Sequence, residues 1–281
     1  VSTVLARRLG GELLRLRDTA GRTQQQAAEA ISATGTKIVK MERGWVPVRD
    51  PDIRVLCEFY GVDDQATVAR LLELAKLDRE RRKAKGWWRD TAAGAFGEYI
   101  AMENVASRIR NWQSSLIPGL LQIPEYTRAI AVSEGRWDDP DEIEQVVEVK
   151  RRRQERLWGE DPLDLYAVVG EAALRQQVGG PAVMRAQLER LLEMAELPNV
   201  RLQVLPFRAG GHPCIVGPFS IVSFSEDGAL DVVQSDTITG MLWVEDEAES
   251  DAYRTSFDRT ARLGLAPRDS LTLIDNLRKE V

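Results

Sequence analysis

Lys37 and Lys40 stand three residues apart in the stretch TGTKIVKMERG (34–44), a spacing that puts both ammonium groups on one side of a helix. Such a pair can neutralise phosphate or donate to the edge of a guanine, which is polyanion chemistry. A second candidate is the loop GGHPC, where His212 and Cys214 suggest a cysteine–histidine nucleophile or half of a metal site. Neighbours so close in sequence rarely align for catalysis, and no second ligand cluster accompanies them. Cys57 and Cys214, with no third or fourth cysteine, give neither a disulfide framework nor a zinc motif. The reading is therefore of a protein that is not an enzyme and needs no metal or cofactor.

The elements that must position these residues follow from periodicity and caps. Leu5, Leu9, Leu13 and Leu16 recur at helical spacing and stop at Ala20–Gly21. Thr23, with Gln26 three positions on, opens a second helix that buries Ala27, Ala28 and Ile31. Thr34 caps the lysine helix, Gly44 ends it, and Ile38 and Met41 give it an apolar face. After the loop WVPVRDPD, Ile53, Leu56 and Phe59 or Tyr60 mark a fourth helix ended by Gly61. A fifth, at 64–80, turns Val68, Leu71, Leu72 and Ala75 inward. The basic run DRERRKAKG (78–86) reads as a linker or as a prolongation of that helix.

Beyond it the pattern changes. ASRIRNWQSSLIPGLLQIPEYTRAI combines a polar stretch, the Pro118–Gly119 breaker and a helix from Pro124. A long charged helix at 139–158, a buried strand LDLYAVV (163–169) and a helix at 181–196 follow. VRLQVLPF, FSIVSF, ALDVVQ and GMLWVE read as strands, 209–217 as a glycine and proline loop, and two helices close the chain at about 246–262 and 268–279. The expected fold class is thus α plus α+β, with a five-helix domain at 1–85 and a mixed α+β domain at 86–281.

Composition agrees with two folded domains: 281 residues, 43% hydrophobic and 29% charged. No apolar run approaches a membrane span and no leader-like start is visible, so a reducing, cytoplasmic setting is expected. The net charge of −6 is unevenly spread. Residues 1–85 hold 17 basic against 12 acidic side chains, a balance of +5; the remainder hold 21 against 32, a balance of −11. A basic head on an acidic body suits a nucleic-acid reader with a separate regulatory domain.

TQQQAAEAISATGTKIVKMERG (23–44) resembles, without a gap, the helix-turn-helix signature of the Xre and lambda-type repressor family. The resemblance implies that Gln24 opens the first helix, that small Ala28 lets the two helices cross closely, and that Arg17 pairs with Glu42. It implies a recognition helix whose small first turn comes near the groove floor. By carry-over, Thr34, Gly35, Thr36 and Lys40 are assigned to bases, and Gln24, Lys37 and Arg43 mainly to phosphate, on double-stranded operator DNA. One departure stands out: Ser32 occupies the turn position where the family usually has a left-handed glycine. Trp45, just after the helix, is placed against the DNA backbone or the following loop.

IPGLLQIPEYTRA (117–129), GEAALRQQVGGPAVMRAQLERLLE (170–193), PNVRLQVLPFRAGGHPCIVGPFSIVSF (198–224) and YRTSFDRTARLGLAPRDSLTLI resemble the C-terminal domain, of uncharacterised activity, that follows such a reader in many actinobacterial regulators. GMLWVED departs mildly from that pattern. The resemblance implies an antitoxin-like or developmental regulator, a homodimer, whose acidic domain binds a small partner protein encoded nearby. The alternative is a one-component regulator whose C-terminal domain senses a small molecule.

Overall fold

The computed structural model describes residues 4–83, 94–135, 139–224, 231–238 and 240–281, which fall into two compact units, one up to residue 83 and one from residue 94. In the first, five helices follow in order: α1 (Val4–Thr19), α2 (Gln24–Ala30), α3 (Gly35–Glu42), α4 (Asp50–Phe59) and α5 (Gln65–Lys83). Leu5, Leu9 and Leu13 of α1 are buried, as are Ala27, Ala28, Ile38, Met41, Ile53, Leu56 and Leu71 on the other four helices. Both short helices start as their caps dictate. Thr23 and Gln26 form the reciprocal capping box, and the Thr34 hydroxyl accepts from the Lys37 N–H.

A close backbone approach in this unit has no local signal in the sequence. A Cβ on Gly10 would lie 2.4 Å from the Glu42 carbonyl oxygen, and one on Gly44 would lie 2.5 Å from the Ala6 backbone. So α1 and the end of α3 touch backbone to backbone, and only glycine permits it at both positions. Gly44 has φ +66°, so it also ends the helix. The run read as a linker is helical as far as Lys83, because nothing breaks α5 there and Leu77 and Asp78 are buried on it. The expected boundary at residue 85 lies outside the described residues.

The second unit opens with α6 (Gly94–Val105) and is built on a six-stranded sheet in the order β3-β2-β1-β4-β5-β6. Strands β1 (Arg108–Gln113), β2 (Asp164–Gly170) and β3 (Val200–Leu205) run parallel. Helices α7 (Pro124–Glu134) and α8 (Pro140–Gln154) connect β1 to β2, and α9 (Glu171–Arg175) and α10 (Pro181–Met194) connect β2 to β3. β4 (Phe219–Ser223), β5 (Val232–Thr237) and β6 (Gly240–Val244) complete the sheet antiparallel, before α11 (Glu247–Leu263) and α12 (Pro267–Glu280). A mixed sheet with parallel crossovers on one side and a meander on the other is thus the frame of this unit.

The stretch read as polar is corrected here: Arg108–Gln113 is β1, a central strand. Its period-two signal is masked because polar Asn111 faces inward, where its Nδ2 donates to Ser220 Oγ at 2.7 Å. Trp112 on the other face joins Val168, Phe219, Ile221, Val233 and, from α11, Phe257 and Ala261 in one apolar cluster. Helix α6, for which no pattern was read, is fixed by Glu103, whose two carboxylate oxygens accept from Nε and Nη2 of Arg153 on α8, each at 2.7 Å. Among the described residues no helix is long and apolar enough to cross a membrane.

Candidate nucleic-acid interface

Helix α3 is eight residues long and is gripped from behind. Ile38 and Met41 are buried in the core, and Glu42 at its end is the hub of a polar clamp. Arg17 of α1 donates through Nε and Nη2 to the two Glu42 oxygens, at 2.5 and 3.3 Å, and its Nη1 donates to the Arg22 carbonyl. The Glu42 hydrogen bond holds the Arg17 guanidinium above its ordinary pKa. The Gln24 amide adds a third donor to Glu42, at 2.7 Å. One carboxylate therefore ties α1, α2 and α3 together, and the pairing expected of Arg17 and Glu42 is present.

The turn between α2 and α3 keeps the left-handed geometry without the glycine. Ser32 has φ 51°, the only positive value at a non-glycine among the described residues. The Ala33 N–H closes the turn on the Ala28 carbonyl at 2.8 Å. That hydrogen bond helps hold a conformation that an L residue otherwise avoids by about 1–2 kcal/mol.

Against this frame the predicted contact residues separate into two groups. Thr34, Thr36, Lys40 and Arg43 are exposed, and Gly35 is half-buried beside Gln25, whose Oε1 would be 3.4 Å from a Cβ placed on it. Lys37 and Gln24 are partly committed inward. The Lys37 ammonium donates to Asp52 Oδ2 of α4 at 2.8 Å, and Arg49 donates to the same carboxylate. Burial raises the Asp52 carboxyl, but the hydrogen bonds from Arg49 and Lys37 outweigh it and hold the group below its ordinary value. Lys37 and Gln24 each retain further N–H donors for an outside oxygen.

Residues that sequence reasoning passed over also border this surface. Gln25 and Arg49 are exposed at the starts of α2 and α4. Their signal was positional, since each stands at a helix start beside α3, and composition alone does not show that. The Arg43 guanidinium lies 4.9 Å over the half-exposed ring of Trp45, so the tryptophan neither packs into the core nor leaves that arginine free to wander. The result is an exposed helix face with cations, hydroxyls and amides, in a region of net positive charge. It fits the dimensions and chemistry of a helix laid in a DNA groove.

The second candidate pair, His212 with Cys214, lies in the loop before β4. Cys214 is buried, and burial pushes its thiol up. Burial likewise lowers the His212 pKa, and its ring sits edge-on to Trp112 at 5.0 Å. Among the described residues no group of three or more His, Cys, Asp or Glu side chains is arranged to hold a metal ion.

Comparison with known families agrees with the two-unit organisation. Residues 8–71 match a family model described as a helix-turn-helix domain. Residues 96–276 match one described as a domain of unknown function (DUF5753). No curated protein and no solved structure matches the chain. The first unit is a helix-turn-helix domain of the kind that binds DNA, and since the second match covers well over half of the sequence, the chain belongs to the DUF5753 family.

Proposed function

We propose that this chain is a sequence-specific, Xre-like transcription regulator that reads an operator in double-stranded DNA through α3, acting as a homodimer. The observation that carries this reading is the exposed row Thr34, Thr36, Lys40 and Arg43 on a helix clamped by Glu42. In this reading Thr34, Thr36 and Lys40 face base edges, with the Gly35 backbone near the groove floor. Arg43, Gln24 and Lys37 take phosphate, the last two with the donors that Glu42 and Asp52 leave unused. Half-sites then lie about one helical turn, roughly 34 Å, apart.

The acidic second unit receives the signal, in this proposal from a small protein encoded nearby, in the manner of an antitoxin or a developmental switch. Its charge balance of −11 supports this role, since it keeps that unit off the phosphate backbone and leaves it to a different class of partner. No catalytic step is assigned, because the Cys214 thiol is buried and biased toward its protonated form.

The test selects a preferred duplex from random-sequence DNA with the full chain, then compares wild type with Lys40→Ala by fluorescence anisotropy. Loss of one base contact should cost about 1–3 kcal/mol on the selected duplex and much less on random DNA. Unchanged preference for the selected duplex in Lys40→Ala rejects α3 as the reading element.

A further inference from the structure

From Leu197 to Ser225 there is no acidic residue, in a part of the chain where acids outnumber bases 32 to 21. The middle of this run is the loop from Phe207 to Gly217, and it exposes large apolar side chains. Phe207 is 62% exposed, Ile215 67% and Val216 92%, the last being the most exposed large hydrophobic residue among those described. Singly exposed aliphatics need no explanation, but three in eleven residues of one loop do.

The loop is held in place from beneath. Cys214, next to the exposed pair, is buried, and its carbonyl accepts from Trp112 Nε1 at 2.9 Å. His212 packs its ring on the same tryptophan. The Ile215 N–H donates to the His212 carbonyl, and the Phe207 N–H donates to Glu171 Oε2 at 2.9 Å. Ile215 and Val216 are thus presented to water by a scaffold rooted in the sheet. Covering side chains of this size is favourable, and little ordering cost remains to be met.

What covers them is decided by charge. Two copies of an acidic unit repel wherever their carboxylates face each other, and this loop brings little of that repulsion: it has no acid of its own, and Glu171, which accepts from the Phe207 N–H, is already paired with Arg175. A twofold contact needs a patch that meets itself, and an apolar tip does so without a charge mismatch. We propose that the Phe207–Gly217 loop is the surface through which two copies of this chain associate, with Ile215 and Val216 of each seated against the same loop of the other. This rests on the homodimer named above but supplies the surface.

The experiment is sedimentation equilibrium of the full chain over a wide concentration range, with neither DNA nor another protein present. Wild type should show a reversible dimer. The double variant Ile215→Ser, Val216→Ser should weaken it at least tenfold while keeping the wild-type circular dichroism, because both side chains are already in water in the single copy. Leu242→Ser, on edge strand β6, should leave the dimer intact. A wild-type monomer at the highest soluble concentration, an unweakened double variant, or a dimer lost through Leu242→Ser overturns the proposal. A monomer that still selects its duplex through Lys40 would remove this surface and keep the DNA reading; a loop-dependent dimer indifferent to Lys40→Ala would do the reverse.

Discussion

Among the described residues each unit holds a buried arginine–glutamate pair, Arg17 with Glu42 in the first and Arg153 with Glu103 in the second, and the two are supported differently. Around Arg17 the helpers are polar: Gln24 donates to Glu42, the Arg22 carbonyl accepts from Arg17, and Asp18 is a second carboxylate at 2.7 Å. Around Arg153 they are aromatic. Its guanidinium lies 5.1 Å from the centroid of Tyr99 and 5.4 Å from that of Phe96. Burial opposes the Arg153 charge, and the Glu103 carboxylate more than restores it, so its pKa is raised. The first pair orients a short helix that must stay at the surface; the second fastens a covering helix over a sheet. A polar clamp tolerates the loss of one member better than an aromatic one, because the remaining charge keeps other partners.

That difference predicts an order of effects. Glu103→Ala leaves Arg153 buried between two rings with only the weaker pull of the Asp236 carboxylate to offset its charge and should cost about 3–5 kcal/mol, read by denaturant unfolding, with hydrogen exchange rising first in α6 and α8. Glu42→Ala should cost about 3 kcal/mol or less, since Arg17 keeps Asp18 and the Arg22 carbonyl, and its exchange should rise in α3. Equal costs, or exchange spread evenly over both units, would break the comparison. The smallest change sharpens it. Ser32→Gly relieves the left-handed turn and should stabilise the reader by about 1 kcal/mol at most, with protection gained at α2 and α3 alone. A loss of stability there would show that the Ser32 side chain contributes something its backbone strain conceals.

The two pairs also divide what could be read in advance. Arg17 and Glu42 were paired through the resemblance carried by residues 23–44, whereas nothing local links Glu103 to a partner fifty residues away. Helices α1 to α5 announce themselves because each shows one apolar face and has a cap or stop: Thr23, Thr34, Gly44 and Gly61 are local signals. The candidate contact residues are assigned through that same resemblance, Gln24 on α2 and the others on or beside α3. Their commitments are not. That Lys37 leans on Asp52 and Gln24 on Glu42 depends on which helices cross, and only the fold sets that.

By itself, the sequence determined the five-helix reader, the acidic second unit and most of its strands, since these follow from spacing, caps and charge counted along the chain. Tertiary structure alone decided that Arg108–Gln113 is a central strand, that Gly10 and Gly44 admit α1 against the end of α3, and that Ile215 and Val216 stand outside. The physical reason is common to all three. A strand that turns a polar Asn111 inward hides its alternation, a glycine does not show in sequence which backbone it will meet, and exposure is set by what the rest of the chain fails to cover.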